Sequence, residues 1–200
     1  WAARITAFLI PVTCVLWNLD APIRLGVAFL TEQYLGVILG LVLGTCYFGL
    51  AAEARNPAIA LCALIAGFVG LAALGYSVLN FTGIIAELAY RPSHLSFIGA
   101  AILLLILEGL RRKAGMTMFL LVMIFLAYAL MAHLVPGALQ GRRMPVERLV
   151  QYVAFDPSAL YASPLVVGAV VIILFVFFGN VLFLAGGGSF FTDLALALTG

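Results

Sequence analysis

The chain has 200 residues, of which 66% are hydrophobic and only 9% charged, with a formal net charge of +2. A soluble domain carries about 25% charged residues, and a fold of this size cannot hide so much apolar surface from water. The composition therefore excludes an ordinary soluble domain and places the chain in a lipid bilayer, as does its mean hydropathy of +1.23.

The charges clump between long uncharged runs, and several runs reach the roughly 20 residues that cross a hydrocarbon core about 30 Å thick. No basic stripe interleaved with aromatic residues points to nucleic acid. Cys14, Cys46 and Cys62 all lie in apolar runs, without a Cys-x-x-Cys pair or a Cys/His cluster. They read as small buried hydrophobes rather than metal or redox groups. The chain begins with Trp1 rather than Met and ends at Gly200 directly after an apolar run, so it is expected to be a piece of a longer protein. Residues 1–17 lack a basic segment followed by a small-residue cleavage site, and read as a helix rather than a signal peptide.

In chain order, the first apolar run covers residues 3–17, with Pro11 predicted to kink it. A turn at Asn18-Leu-Asp-Ala-Pro22 follows. The second run, residues 24–52, is too long for one straight crossing and is expected to tilt or break near Thr31-Glu32-Gln33. Asn56-Pro57 closes it, and a third span covers residues 58–79. Residues 80–93, with Glu87 and Arg91, read as a loop or short interfacial helix. The fourth span, residues 95–110, ends in Arg111-Arg112-Lys113. The fifth, residues 116–134, stops at Pro136-Gly137.

Residues 141–164 are more polar. An amphipathic helix is expected from Pro145, which suits a first helical turn, with Glu147 at the positive end of the helix dipole. Val146, Leu149, Val150 and Val153 follow helical spacing, so this helix should lie on the membrane surface or pack under the bundle. The sixth span covers residues 164–184. Gly186, Gly187 and Gly188 then break it before a further apolar helix. The fold class predicted is an all-α polytopic transmembrane bundle of about six spans plus interfacial amphipathic helices. The tight Arg111-Arg112-Lys113 cluster should face the cytoplasm. Counting spans from it leaves five basic residues on each side, so that rule does not orient the whole chain.

Among residues that might carry function, Gly36, Gly40 and Gly44 repeat every fourth position and share one helix face. Small residues there let another backbone approach, either as static packing or as a sliding interface. Glu32 and Gln33 are polar within an apolar run, at the interface if the span begins at Tyr34, and otherwise at membrane depth, where such groups are often functional. Glu108 and Arg112 form an i, i+4 pair that reads as a structural clamp at a helix end. His94 and His133 stand near span ends without an obvious acidic or Cys partner, and read as interfacial. Asn180 is the one amide within the sixth span. With the glycines at 186–188 it marks either an inter-helix hydrogen bond or the kind of broken helix on which transporters build ion and substrate sites, which makes it a weak candidate for such a site. No Ser/His/Asp order, paired carboxylates, HExxH or phosphate loop is found, so an enzyme and a catalytic residue are not expected, nor a metal site or bound cofactor.

Three segments together resemble the permease of a tripartite ATP-independent periplasmic (TRAP) transporter, in the fused small/large-subunit form that works with TAXI-type binding proteins. The first is Leu104-Leu-Ile-Leu-Glu108-Gly-Leu-Arg-Arg112-Lys-Ala-Gly115, similar to the Glu-x-x-Arg-Arg-x-x-Gly element near the small-subunit end of such fusions. The second is Ala127-Tyr-Ala-Leu-Met-Ala-His-Leu-Val-Pro-Gly137, followed by Arg148-Leu-Val-Gln-Tyr152. The third runs from Phe177-Phe-Gly-Asn180 through Gly186-Gly-Gly-Ser-Phe-Phe-Thr-Asp-Leu-Ala-Leu-Ala-Leu-Thr-Gly200, and resembles the opening of the large subunit; its glycine triplet departs mildly from the usual mixed small residues. The resemblance covers residues 81–200; before that it rests on hydropathy and order.

The resemblance implies scaffold helices at 1–113, a connecting helix and amphipathic segment at 114–163, and the start of a transport domain at 164–200. It implies uptake of an organic anion driven by sodium in a bacterial inner membrane. The expected partners are the bilayer, a periplasmic TAXI-type binding protein and the remainder of the transport domain. Sodium would bind beyond Gly200, so no ion or substrate residue is carried over with it. A membrane scaffold or assembly subunit without transport of its own is the competing expectation.

Overall fold

A computed structural model describes residues 1–90, 92–137 and 140–199, and all regular structure among them is helical. The helices are α1 (Ala2–Asn18), α2 (Ala21–Arg24), α3 (Thr31–Glu53), α4 (Pro57–Leu79), α5 (Phe81–Glu87), α6 (Ser93–Lys113), α7 (Met116–Met131), α8 (Val146–Phe155), α9 (Ser163–Val167), α10 (Ile173–Leu184) and α11 (Gly187–Thr199). Short 3₁₀ turns extend α5 at Leu88–Tyr90 and α7 at Ala132–Leu134.

Local chemistry sets the boundaries. Asn56 caps α4 by accepting the Ala58 N–H at 3.0 Å, and Pro57 occupies the first helical position, where its missing N–H is no loss. Arg111, Arg112 and Lys113 sit at the negative end of the α6 dipole. Gly115 at φ +91° and Gly186 at φ +88° adopt backbone that disfavours side chains, and they make the sharp turns from α6 to α7 and from α10 to α11. The second run breaks directly before Thr31, near where it was expected: α2 ends at Arg24, residues 25–30 are not helical, and Thr31 starts α3. Pro145 precedes α8 instead of opening its first turn. α1 runs through Pro11 without ending.

Five helical stretches are long and apolar enough to span a bilayer: Thr31–Glu53, Pro57–Leu79, Ser93–Lys113, Met116–Leu134 and Ser163–Leu184, with mean hydropathies between 1.9 and 2.9. These are one fewer than the six expected; the remaining run corresponds to α1, which is apolar but shorter. Its 17 residues reach about 26 Å. It lies antiparallel to α3, with Thr6 beside Gly44 and Thr45, and Cys14 beside Tyr34.

The buried groups form two cores that share α3. One joins Leu43, Tyr47, Leu74, Ile102 and Phe155 from α3, α4, α6 and α8. The other joins Cys14, Tyr34, Ile38, Phe81, Tyr161 and Ala169 from α1, α3, α5 and the start of the last span. α7 and α10 bury no residue at all, and large apolar groups such as Phe97, Phe125, Phe175 and Phe178 lie on the outside. A surface of that kind aggregates in water and is solvated by acyl chains. The chain is a multi-pass, all-α membrane bundle.

The amphipathic α8 packs against α6. Leu149, Ala154 and Phe155 are buried while Val146 points outward. A methyl group on Gly99 of α6 would meet the side chains of Ala154, Phe155 and Val150 at 3.2 Å each, so α8 rests its side chains directly on the α6 backbone.

Candidate functional site

Four polar side chains of α3 each reach a different neighbour. Gln33 donates to the Val78 carbonyl of α4 at 2.7 Å, while its own carbonyl oxygen accepts the Leu30 N–H and caps α3. Tyr34 donates to the Ala169 carbonyl at 2.8 Å. Thr45 donates to the Thr6 hydroxyl of α1 at 2.9 Å and also lies 2.8 Å from the Leu41 carbonyl of its own helix. Tyr47 donates to the Leu105 carbonyl of α6 at 2.7 Å. An inter-helix hydrogen bond in lipid is worth about 0.6–2 kcal/mol, so α3 is tied to four neighbours by several such bonds.

The most developed junction surrounds Ala169. It lies in a π-helical turn, Gly168–Ile172, between α9 and α10. A π turn opens the usual i→i−4 ladder and is a place where side chains can reach the helix backbone. The Cys14 thiol donates to the same carbonyl at 3.2 Å, and the Tyr34 hydroxyl lies 3.3 Å from Cys14 Sγ. Trp17 stacks on the Tyr34 ring with centroids 4.5 Å apart and planes 5° from parallel. Cys14, Tyr34 and Ala169 are each no more than 1% exposed. This triangle is dry and closed, suited to holding the last span against α1 and α3.

Gly36, Gly40 and Gly44 face α4 and α1 as one stripe. A methyl group on Gly36 would sit 2.7 Å from Val78 Cγ2; on Gly40, 3.6 Å from Leu74 Cβ; on Gly44, 3.3 Å from Thr6 Cγ2 and 3.5 Å from Leu71. The opposing helix contributes Gly67, where an added methyl group would come within 2.6 Å of the Phe48 ring.

Glu108 binds Arg112, as the spacing predicted, and binds Arg111 as well through two 2.8 Å hydrogen bonds. These side chains are 34–40% exposed, so the cluster contributes at most about 1 kcal/mol. Asn180 is exposed and donates to the Val176 carbonyl one turn back in its own helix at 2.8 Å, not to another helix. The chain breaks after it at Gly186, whereas Gly187 and Gly188 already belong to α11. Glu32 stands in the first turn of α3, where its charge suits the helix dipole. His94 has an acidic partner that sequence spacing did not show: Glu87, at 3.7 Å. His133 lies 3.2 Å from the Leu130 carbonyl. Cys62 is exposed on the lipid-facing side, unlike the buried Cys14 and Cys46. Among the described residues no three His, Cys, Asp or Glu side chains group as a metal site would.

The residues missed in the sequence are Cys14, Tyr34, Tyr47, Thr45 and Gln151. The last is 2% exposed and donates to Ser96 Oγ at 2.7 Å and to the Pro92 carbonyl at 3.2 Å, which fixes α8 on α6. Their partners are mostly backbone carbonyls, and these carry no sequence signature.

No protein-family model, curated protein or solved structure matches the chain. Fold and junctions together define the class: a multi-pass helical membrane protein whose internal polar groups are used to hold its helices together.

Proposed function

We propose that this chain is the scaffold portion of the permease of a sodium-coupled secondary transporter of the TRAP type, importing an organic anion delivered by a periplasmic binding protein of the TAXI type across a bacterial inner membrane. The observation that carries the scaffold role is the spending of polar groups. Gln33, Tyr34, Tyr47 and Gln151 all donate to helix carbonyls or to a neighbouring hydroxyl, and a side chain engaged in this way is not available to a passing ion or substrate. The transport reading rests on the resemblance of the segments around Glu108, Pro136 and Gly186, in that order. Glu108 and Arg112 act as a helix-end clamp, and the Gly186 turn shapes the entry to the transport domain. Sodium and substrate bind outside residues 1–200 in this account. The same use of polar groups also suits a membrane assembly subunit with no transport of its own.

An uptake assay separates the two. Proteoliposomes carrying the full-length permease, supplied with its binding protein and a panel of radiolabelled organic anions, should accumulate label under an inward sodium gradient and not under an equal potassium gradient. Uptake indifferent to sodium refutes the coupling, and no uptake with any anion leaves the assembly subunit as the reading.

A further inference from the structure

A second feature of the bundle lies beside the Glu108–Arg112 clamp. At the end of the bundle that carries Arg111–Lys113, a cavity of about 380 Å³ opens between α3, α4 and α6. Its walls are apolar and its rim is charged. Ala58, Ile59, Cys62 and Ala66 form one wall, Leu104 and Leu105 the other, and Glu108 and Arg112 close the mouth. Ala58 to Ala66 and Arg112 to Leu104 each descend eight residues, about 12 Å along a helix axis, so the antiparallel walls run together from the membrane surface into the hydrocarbon. Ile59 is 53% and Leu104 67% exposed, which leaves the groove open sideways to lipid.

The rim carries an excess of donors. Arg111 and Arg112 together have ten N–H groups, whereas one carboxylate offers about four acceptor positions. Glu108 takes three hydrogen bonds from the pair. Lys113 adds a third cation on the next residue, and Arg55 stands in the α3–α4 connection at the same end. Guanidinium groups favour phosphate through paired, charge-assisted hydrogen bonds.

We propose that this groove holds one anionic phospholipid, its phosphate on Arg112 and Lys113 and an acyl chain along Ile59, Cys62, Ala66 and Leu104. A soluble phosphate would leave the apolar walls empty, and an uncharged lipid would leave the surplus donors without an anion. Basic pockets between membrane helices recognise anionic head groups by this combination.

The test is native mass spectrometry of the full-length protein in detergent, incubated with phosphatidylglycerol or with phosphatidylcholine of identical acyl chains. One phosphatidylglycerol should be retained about fivefold or more over phosphatidylcholine. Arg112→Gln should bring that ratio close to one. Cys62→Phe fills the groove from its exposed wall and should lower phosphatidylglycerol retention severalfold with the rim intact. Size-exclusion chromatography shows whether each variant is folded, and either variant alone suffices. Equal retention of the two lipids by the unmodified protein overturns the proposal, as does a phosphatidylglycerol preference that survives in folded Arg112→Gln, or phosphatidylglycerol retention unchanged in folded Cys62→Phe.

Discussion

Gly36→Leu should lower the midpoint of thermal unfolding by about 5–10 °C. The first added carbon already lies 2.7 Å from Val78 Cγ2, and the Tyr161 hydroxyl is 3.8 Å away. Val78 is 6% exposed and branched at Cβ, so it has little freedom to turn aside. The helices must separate, and overpacking of this kind costs about 1–3 kcal/mol. Separation also lengthens the 2.7 Å bond from Gln33 to the Val78 carbonyl, so the loss should reach the upper part of that range. Gly75→Ala is the control. No atom lies within 4 Å of a methyl group placed there, and alanine's better helix propensity should leave stability unchanged or raise it by up to about 1 kcal/mol. If the two substitutions behave alike in a thermal melt followed by circular dichroism, the α3–α4 contact is not as close as described.

The second large effect concerns the Ala169 carbonyl. Tyr34→Phe removes one donor and Cys14→Ala the other, and each single variant leaves the carbonyl one partner. Each should cost about 1 kcal/mol. The double variant leaves the buried carbonyl without either donor, for which the penalty is about 1–3 kcal/mol. The loss should therefore exceed the sum of the singles by about 1 kcal/mol, a coupling of the size expected for residues in one network. Chemical denaturation of the four proteins in a mixed micelle measures the cycle. Simple additivity would mean that the two groups do not share the carbonyl.

These two sites differ in how far they could be read from sequence. The glycine spacing at 36, 40 and 44 places three small residues on one face by helix geometry alone, and the structure shows the close approach they permit. The helix-end pair at Glu108 and Arg112 follows from i, i+4 spacing in the same way. Most of the apolar spans were legible because an uncharged stretch near 20 residues has few other uses. The Tyr34 junction was not legible, since its acceptor is a main-chain carbonyl in a π turn that no residue type announces. The length of the gap before Thr31 was not legible because residues 25–30 include Leu25, Val27, Phe29 and Leu30, and hydropathy continues across them although the helix does not. Cys62 was misread because an apolar run does not reveal which face of its helix turns to lipid.

On the proposed reading, α3 and the helices packed on it form a fixed wall past which the transport domain moves. Gly40 and Leu74 allow a direct test. A Cβ on Gly40 would lie 3.6 Å from that of Leu74, within the range a disulfide requires. Gly40→Cys with Leu74→Cys, in a protein whose Cys14, Cys46 and Cys62 are replaced by Ala, should lock α3 to α4 on oxidation. Sodium-driven uptake by the oxidised, full-length permease should match that of the same protein after reduction. Uptake lost on oxidation and restored by reduction would show that α3 slides on α4 during transport, and would contradict the account.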